Sequence, residues 1–571
     1  MFGQYSTTLT TGLCLLQGVL RQLHSIVAPT VGFQVNASLY SSEVTMAVVT
    51  GSVLIDILLA LISALCLLYW YITNNDDYWD KRGVTNIKKG TFLGTILGKQ
   101  SQADAVKEIY NQFPDERYVG LFQFKKPVLM VRDPTLINKV LVKDFTHFQD
   151  RSAPTLKKDL FSRNLLGLKG SVWRTLRHKL TPTFTTGKLR GMFEQISKSS
   201  ENLITKIDEV SSVKNEDVDP SNVLFEFTLD VIASCAFGVQ FPPDSPDFKK
   251  FKSIVEKMFT GSPLRFLKFT FVTLAPKIAD YFNITVSPSE LYDYFMNMTR
   301  ANMKYRKENN IHRNDYFELL LSLKEQEEKG EITPHVATSV HEDDAIIDQM
   351  NYTEEDEKSI DTSEKWFTDE SIASNTVIFL TGGSETVSRT ICFVLFELSR
   401  HLEIQQKVQQ EVDSVLSKHG ELSFEALREM PYLDQVIQEA QRIYPVLPML
   451  SRECVKPYKV PDSDLIIEKG TVMLIPVIGL HKDDKYYPDP AQFNPERFKG
   501  NNFKPNSTFL PFGDGPRICI AMRFAVMEVK ACVAKIMSQY TVKLSKKTQV
   551  PLQFEVRSFL LVVKRWNVSL Y

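Results

Sequence analysis

Cys519 closes a run of residues suited to holding a metal through sulfur. Residues 511–520 read Pro-Phe-Gly-Asp-Gly-Pro-Arg-Ile-Cys-Ile. Residues 521–537 contain neither Gly nor Pro, so a helix begins just behind the sulfur. A helix N-terminus offers unpaired N–H groups and a positive dipole end, and both lower a thiol's pKa. Gly513 and Gly515 let the backbone approach a flat ligand with no Cβ between them. Arg517, two residues ahead of the sulfur, reaches an anionic group on the same ligand. Thiolate, flat partner and anion clamp together point to a haem held by cysteine. The plainer alternative is a buried loop cysteine that happens to follow glycines.

A second stretch suits oxygen chemistry. Residues 369–400 lack proline and open with Asp369 and Glu370, where a helix dipole favours negative charge. Gly382 and Gly383 sit side by side in the middle, and each costs about 1 kcal/mol relative to alanine in a helix. Two readings explain them: close packing against another helix, or a local break with room for dioxygen and water beside a haem. Glu385 and Thr386 follow. A hydroxyl relays a proton without placing charge against a substrate, and a carboxylate behind it connects to solvent.

On these residues the chain resembles the cytochrome P-450 family. The haem-loop pattern F-G-x-G-x-R-x-C-x-G is matched by Phe512, Gly513, Gly515, Arg517 and Cys519, with Ala521 where glycine is usual. The central pattern A/G-G-x-D/E-T is matched by Gly382, Gly383, Glu385 and Thr386. W-x-x-x-R is matched by Trp173 and Arg177. The resemblance implies a mostly α fold with small β-sheets, and haem b with Cys519 as axial thiolate. It implies that Thr386 hydrogen-bonds the oxygen intermediate and that Glu385 feeds protons. Trp173 and Arg177 are expected beside a propionate, with Arg151, Arg452 and Arg517 as further partners. Glu439 and Arg442 lie one helical turn apart, and the family joins them to an arginine such as Arg497 in a buried network. Residues 180–189, 430–439, 442–445 and 452–454 are similar to the microsomal branch holding vertebrate family 3 and insect family 6.

The implied function is a monooxygenase acting with O2 on a lipophilic small molecule such as a xenobiotic, steroid or insecticide. Electrons come from NADPH through NADPH-cytochrome P-450 reductase, with cytochrome b5 as a possible second donor, because the chain has no flavin or nicotinamide fingerprint of its own. A haem-thiolate isomerase or dehydratase, and a haem sensor or carrier, are the rival readings. Substrate-pocket candidates are Phe161, Leu165, Leu166, Ile378, Thr381, Gly382, Val446 to Met449 (Val446 and Leu447 foremost), Phe559 and Leu560. Apolar residues at 259–275 suggest a greasy entrance near a membrane. Arg174, Lys179, Lys188 and Arg190 form a basic cluster able to steer an acidic reductase surface.

The elements that must position these groups read as follows. The chain has 571 residues, a formal net charge of -1 and 43% hydrophobic residues, enough for a large core and against a nucleic-acid footprint. Seven cysteines without close pairing suggest a reducing compartment rather than a disulfide framework. Residues 46–73 read as a membrane anchor, with an apolar run at 53–72, an aromatic belt at 69–71 and basic residues beyond. A buried core helix is the alternative. That anchor places the catalytic domain on the cytosolic side of the endoplasmic reticulum. Residues 1–45 read as an N-terminal extension, a mitochondrial address being the second choice. Residues 74–109 read as a linker and 110–571 as the catalytic domain. Within it, 330–364 form an acidic insertion with little apolar content, expected to be disordered.

Overall fold

The computed structural model describes residues 77–87, 99–330 and 367–570 apart from short gaps, with Ile55, residues 58–63 and Cys66 ahead of them. The chain divides into two units, Met1–Tyr71 and Ile72–Tyr571. In the first, the described residues are helical and exposed. No helix among the described residues is long and apolar enough to cross a membrane. Most of the anchor read at 46–73 lies outside the described residues, as do the extension at 1–45 and the acidic insertion beyond Gly330.

The second unit is mostly helical, as expected. The helices that bear on the site are α1 (Gln102–Gln112), α2 (Gly170–Leu180), α3 (Thr186–Lys214), α4 (Pro220–Ile232), α5 (Asp369–Arg400), α6 (Pro431–Ile443) and α7 (Met522–Met537). With 32 residues, α5 is about 48 Å long. The Thr368 side chain caps it by accepting from Ser371 N. It is buried over most of its circumference, as a helix must be when α4, α6 and α7 all pack on it.

The helix is unbroken through Gly382 and Gly383, so a local break is not what these glycines provide. They divide the two readings between them. A Cβ on Gly383 would lie 2.5 Å from Ile232 Cδ1, so this glycine admits α4. A Cβ on Gly382 would meet nothing within 4 Å. Gly382 therefore opens the helix surface without bending its axis.

Four strands form the main sheet: β1 (Tyr118–Gln123), β2 (Lys126–Val131), β3 (Leu450–Glu453) and β4 (Val472–Ile475). Their order is β1-β2-β4-β3. β1 pairs antiparallel with β2, Tyr118 opposite Val131. β2 runs parallel to β4, Val128 opposite Val472. β3 pairs antiparallel with β4, which sets Arg452 opposite Met473. The four residues of β4 are all buried, which suits a central strand.

The described residues of the stretch read as a linker at 74–109, which are 77–87 and 99–109, belong to this unit. Trp79 is buried, donates from Nε1 to Leu121 O at 2.9 Å, and lies against Gly120 so closely that a Cβ there would sit 2.5 Å from its ring. Asn86 bridges to Gly120, and α1 begins at Gln102. The boundary placed at 110 thus moves toward the N-terminus, because a buried tryptophan outweighs the polar look of its neighbours.

Candidate active site

Cys519 stands three residues ahead of α7, with Ala521 as the residue preceding the helix. Ala521 has φ -98° and ψ 21°, an ordinary conformation for alanine, so the departure from the glycine pattern introduces no strain. Gly513 and Gly515 have φ 79° and 67°, which L side chains adopt with difficulty. Gly515 has a reason beyond approach to a ligand. A Cβ on Gly515 would lie 1.9 Å from Leu141 O, so this glycine lets the loop press onto neighbouring backbone. Cys519 N donates to Phe512 O at 2.9 Å, closing the loop on itself.

Cys519 is exposed, yet burial is the first influence on its thiol and pushes it up. Both statements hold for a side chain on the wall of a recess. The N–H of Ala521 and the charges of Arg177 and Arg151 act the other way. The helix-end effect expected from the sequence is therefore present but outweighed. A bound metal cation deprotonates a coordinating thiol outright, whatever the surrounding burial.

Arg177 and Arg517 are buried, as is Arg452 on β3, while Arg151 is half-buried. Desolvation, then repulsion from Arg151 and Arg452, holds Arg517 down to about 7. Desolvation and Arg151 hold Arg452 down to about 9. Arg151 and Arg177 fall to about 10, mainly by desolvation, with Cys519 opposing. A guanidinium does not surrender its proton at these burdens. The direction shows that the cluster is short of negative charge. Asp150 is 3.7 Å from Arg517 Nη2 but already accepts from Gly170 N, and Asp514 accepts from Gly515 N. Arg177 Nε, Arg452 Nε and Arg517 Nη1 are buried with no hydrogen-bond partner among the described residues. Haem b carries two carboxylates, and these residues fit them.

Trp173 is buried on α2. Its ring lies under the Arg517 guanidinium, 3.7 Å from ring centroid to Cζ, and so braces that arginine. Arg517 is fixed further by Gln149 O at 2.8 Å and Leu168 O at 3.0 Å. Arg174, assigned above to a reductase-facing cluster, is buried and donates to Gln149 Oε1, so it leaves that cluster. Lys188 and Arg190 are exposed, and Arg190 pairs with Glu425.

Phe379 on α5 meets Phe524 on α7, ring centroids 5.8 Å apart, which brings the middle of α5 to the helix that follows Cys519. Thr386 is partly exposed and donates to Gly382 O. Glu385 is buried, and Arg389 grips its Oε1 through Nε at 2.9 Å and Nη2 at 2.7 Å. The sequence reading missed Arg389, although its i,i+4 spacing from Glu385 was legible. It also missed Asn375, whose Oδ1 accepts from Leu165 N at 3.1 Å and ties that loop to α5.

Among the pocket candidates, Leu166, Leu447 and Phe559 are exposed, Leu165, Ile378, Thr381 and Val446 half-buried, and Leu560 buried. Val446 O accepts from Leu561 N at 2.9 Å, joining two of these loops. Phe161 lies outside the described residues.

Glu439, Arg442 and Arg497 come together. Arg442 grips Glu439 with two hydrogen bonds of 2.7 Å, and Arg497 Nε lies 3.4 Å from Glu439 Oε1. Behind them His481, absent from the sequence reading, accepts from Leu510 N at Nε2 and receives Arg442 Nη1 on its carbonyl. Burial, then Arg442, pushes His481 down from 6.5 to about 3. Below pH 6.5 an unfolded chain takes up a proton that the folded protein refuses. Stability present above that pH is therefore lost progressively as pH falls toward the folded value. At pH 5 the loss is about 2 kcal/mol. Urea unfolding midpoints will show a steeper fall from pH 7 to 5 in the parent than in His481→Gln, which keeps an acceptor but does not titrate.

An exposed thiol just ahead of α7, buried arginines short of anions, and a helix with an open Gly382 beside Thr386 suit a haem-thiolate protein of the oxygen-activating kind. Residues 88–570 match the family described as Cytochrome P450. The chain is similar to Cytochrome P450 6k1 of Blattella germanica, 33% identical over 524 residues that cover 90% of this chain and 97% of that one. It is also similar to Cytochrome P450 6a2 of Drosophila melanogaster (32%; 89% and 97% covered) and Cytochrome P450 6B7 of Helicoverpa armigera (32%; 86% and 93%). The chain belongs to the cytochrome P450 family and is a haem-thiolate monooxygenase; the family carries haem b on a cysteine thiolate.

Proposed function

We propose that this chain inserts one oxygen atom of O2 into a lipophilic small molecule, with electrons relayed from NADPH by a reductase. The arginine cluster around Cys519 carries this reading, because it is shaped for the two carboxylates of a haem whose iron the sulfur would hold. Arg151, Arg177, Arg452 and Arg517 would hold the carboxylates, and Trp173 keeps Arg517 in place. When bound, the haem supplies O2 binding and reductive activation, and thiolate ligation favours O–O cleavage.

Thr386 relays a proton from its hydroxyl across the surface opened by Gly382. Glu385 stands next to it, and Arg389 orients the carboxylate by gripping Oε1. Substrate contacts come from the loops at 165–166, 446–449 and 559–560. Exposed Leu264, Leu267, Phe269 and Phe271 form a greasy surface that suits entry of lipophilic molecules from a membrane. In this reading the apolar span at 46–73 anchors the enzyme in the endoplasmic reticulum, with cytochrome b5 as a second electron donor.

Thr386→Val will lower product formation about a hundredfold or more while NADPH oxidation by the reductase continues. Thr386→Ser will recover most of the product. An equal fall in both rates would refute the relay role. Product formed without O2 or reductase would instead establish an isomerase or dehydratase.

A further inference from the structure

A cleft of about 910 Å³ shares no lining residue with the site described above. Its walls come from α1, the end of α5, the residues after α6, the turn at 482–485 and the segment 550–554. Lys107, Arg132, Arg400, Lys482 and Lys485 line it against two carboxylates, Asp483 and Asp484. Asp483 is engaged, accepting from Tyr110 Oη at 2.5 Å and Lys485 N at 2.9 Å. Glu397 nearby is shared among Tyr444 Oη, Arg400 and His401.

Three of the cations also rest on aromatic faces that line the cleft. Arg132 lies 4.2 Å over Tyr110, Arg400 5.2 Å over Phe396 and Lys482 5.8 Å over Tyr444. Arg132 donates from Nη1 to the Pro114 and Glu116 carbonyls, while its buried Nε has no hydrogen-bond partner among the described residues. The Lys482 ammonium makes no hydrogen bond or ion pair among the described residues. Burial, then repulsion from Lys107 and Arg442, pushes its ammonium down to about 8. Beside these charges the cleft is apolar, through Ile443, Leu552 and Phe554.

We propose that this cleft binds an amphipathic anion, with a carboxylate, sulfate or sulfonate head at Lys482 and an aryl or alkyl body against Tyr444, Leu552 and Phe554. An anion with an apolar body satisfies both halves of the wall, because it neutralises the excess positive charge and buries apolar surface. Inorganic phosphate satisfies only the first.

The test is fluorescence titration of the holoenzyme with 8-anilinonaphthalene-1-sulfonate, reading the Soret band in parallel. One saturable site is expected, with no Soret shift, displaced by dodecanoate and not by dodecanol. Lys482→Gln will weaken it about tenfold or more, and Lys482→Arg will retain it. Lys107→Gln, at an exposed position, will weaken it by a smaller factor and guards against a folding defect at 482. Equal affinity in the parent, Lys482→Gln and Lys107→Gln overturns the proposal. A Soret shift that tracks occupancy also overturns it, by placing the probe at the haem. Displacement by inorganic phosphate as effective as by dodecanoate overturns the amphipathic assignment.

Discussion

Cys519→Ala protein will keep its helices and lose reductase-supported oxygenation by at least about a thousandfold, roughly 4 kcal/mol of barrier. The loop does not depend on the sulfur for its shape. Cys519 N to Phe512 O, Ile518 N to Gly515 O and the Gln149 and Leu168 carbonyls on Arg517 all survive the change. What is lost is, among the described residues, the only thiol set beside Arg151 and Arg177, whose charges favour its ionised form. Circular dichroism will be close to the parent's. The reduced protein under carbon monoxide will lack the long-wavelength Soret band of the parent. A variant that still shows that band would show that another residue ligates the iron.

The residues legible in advance are those whose meaning is local. The 512–519 loop combines fixed spacing with two glycines at positive φ, and Glu439 and Arg442 share a helix face whatever surrounds them. Residues whose role depends on a distant partner were misread, missed or left with two readings. Gly515 is required by the Leu141 carbonyl, and Gly383 by Ile232; neither neighbour is visible along the chain. Arg174 looks like a surface charge until the fold buries it beside Gln149. His481 links Arg442 to Leu510 and carries no sequence signal at all. Trp79 shows the same limit at the scale of a domain boundary. Its contact with Gly120 is long-range, so a polar segment that reads as a linker folds onto β1.

Glu439→Ala will prevent haem incorporation rather than slow turnover. Burial decides the size of the effect. An exposed pair of this kind contributes at most about 1 kcal/mol. Glu439 and Arg442 are both 0% exposed, and removing one partner from a buried pair costs about 3–5 kcal/mol. That is a large share of the roughly 5–15 kcal/mol that holds a domain together. The carboxylate also receives Asn494 N at 3.0 Å and faces Arg497, so its loss frees the segment that leads into the 511–519 loop. Arg442 would keep its bonds to the His481 and Pro490 carbonyls, but its charge would have no counterpart. Arg442→Lys will fail in the same way, because an ammonium cannot reproduce the two-pronged grip on Glu439. The measurement is Soret absorbance per mole of purified chain. Parent-like haem content in Glu439→Ala would show that the loop assembles without this network.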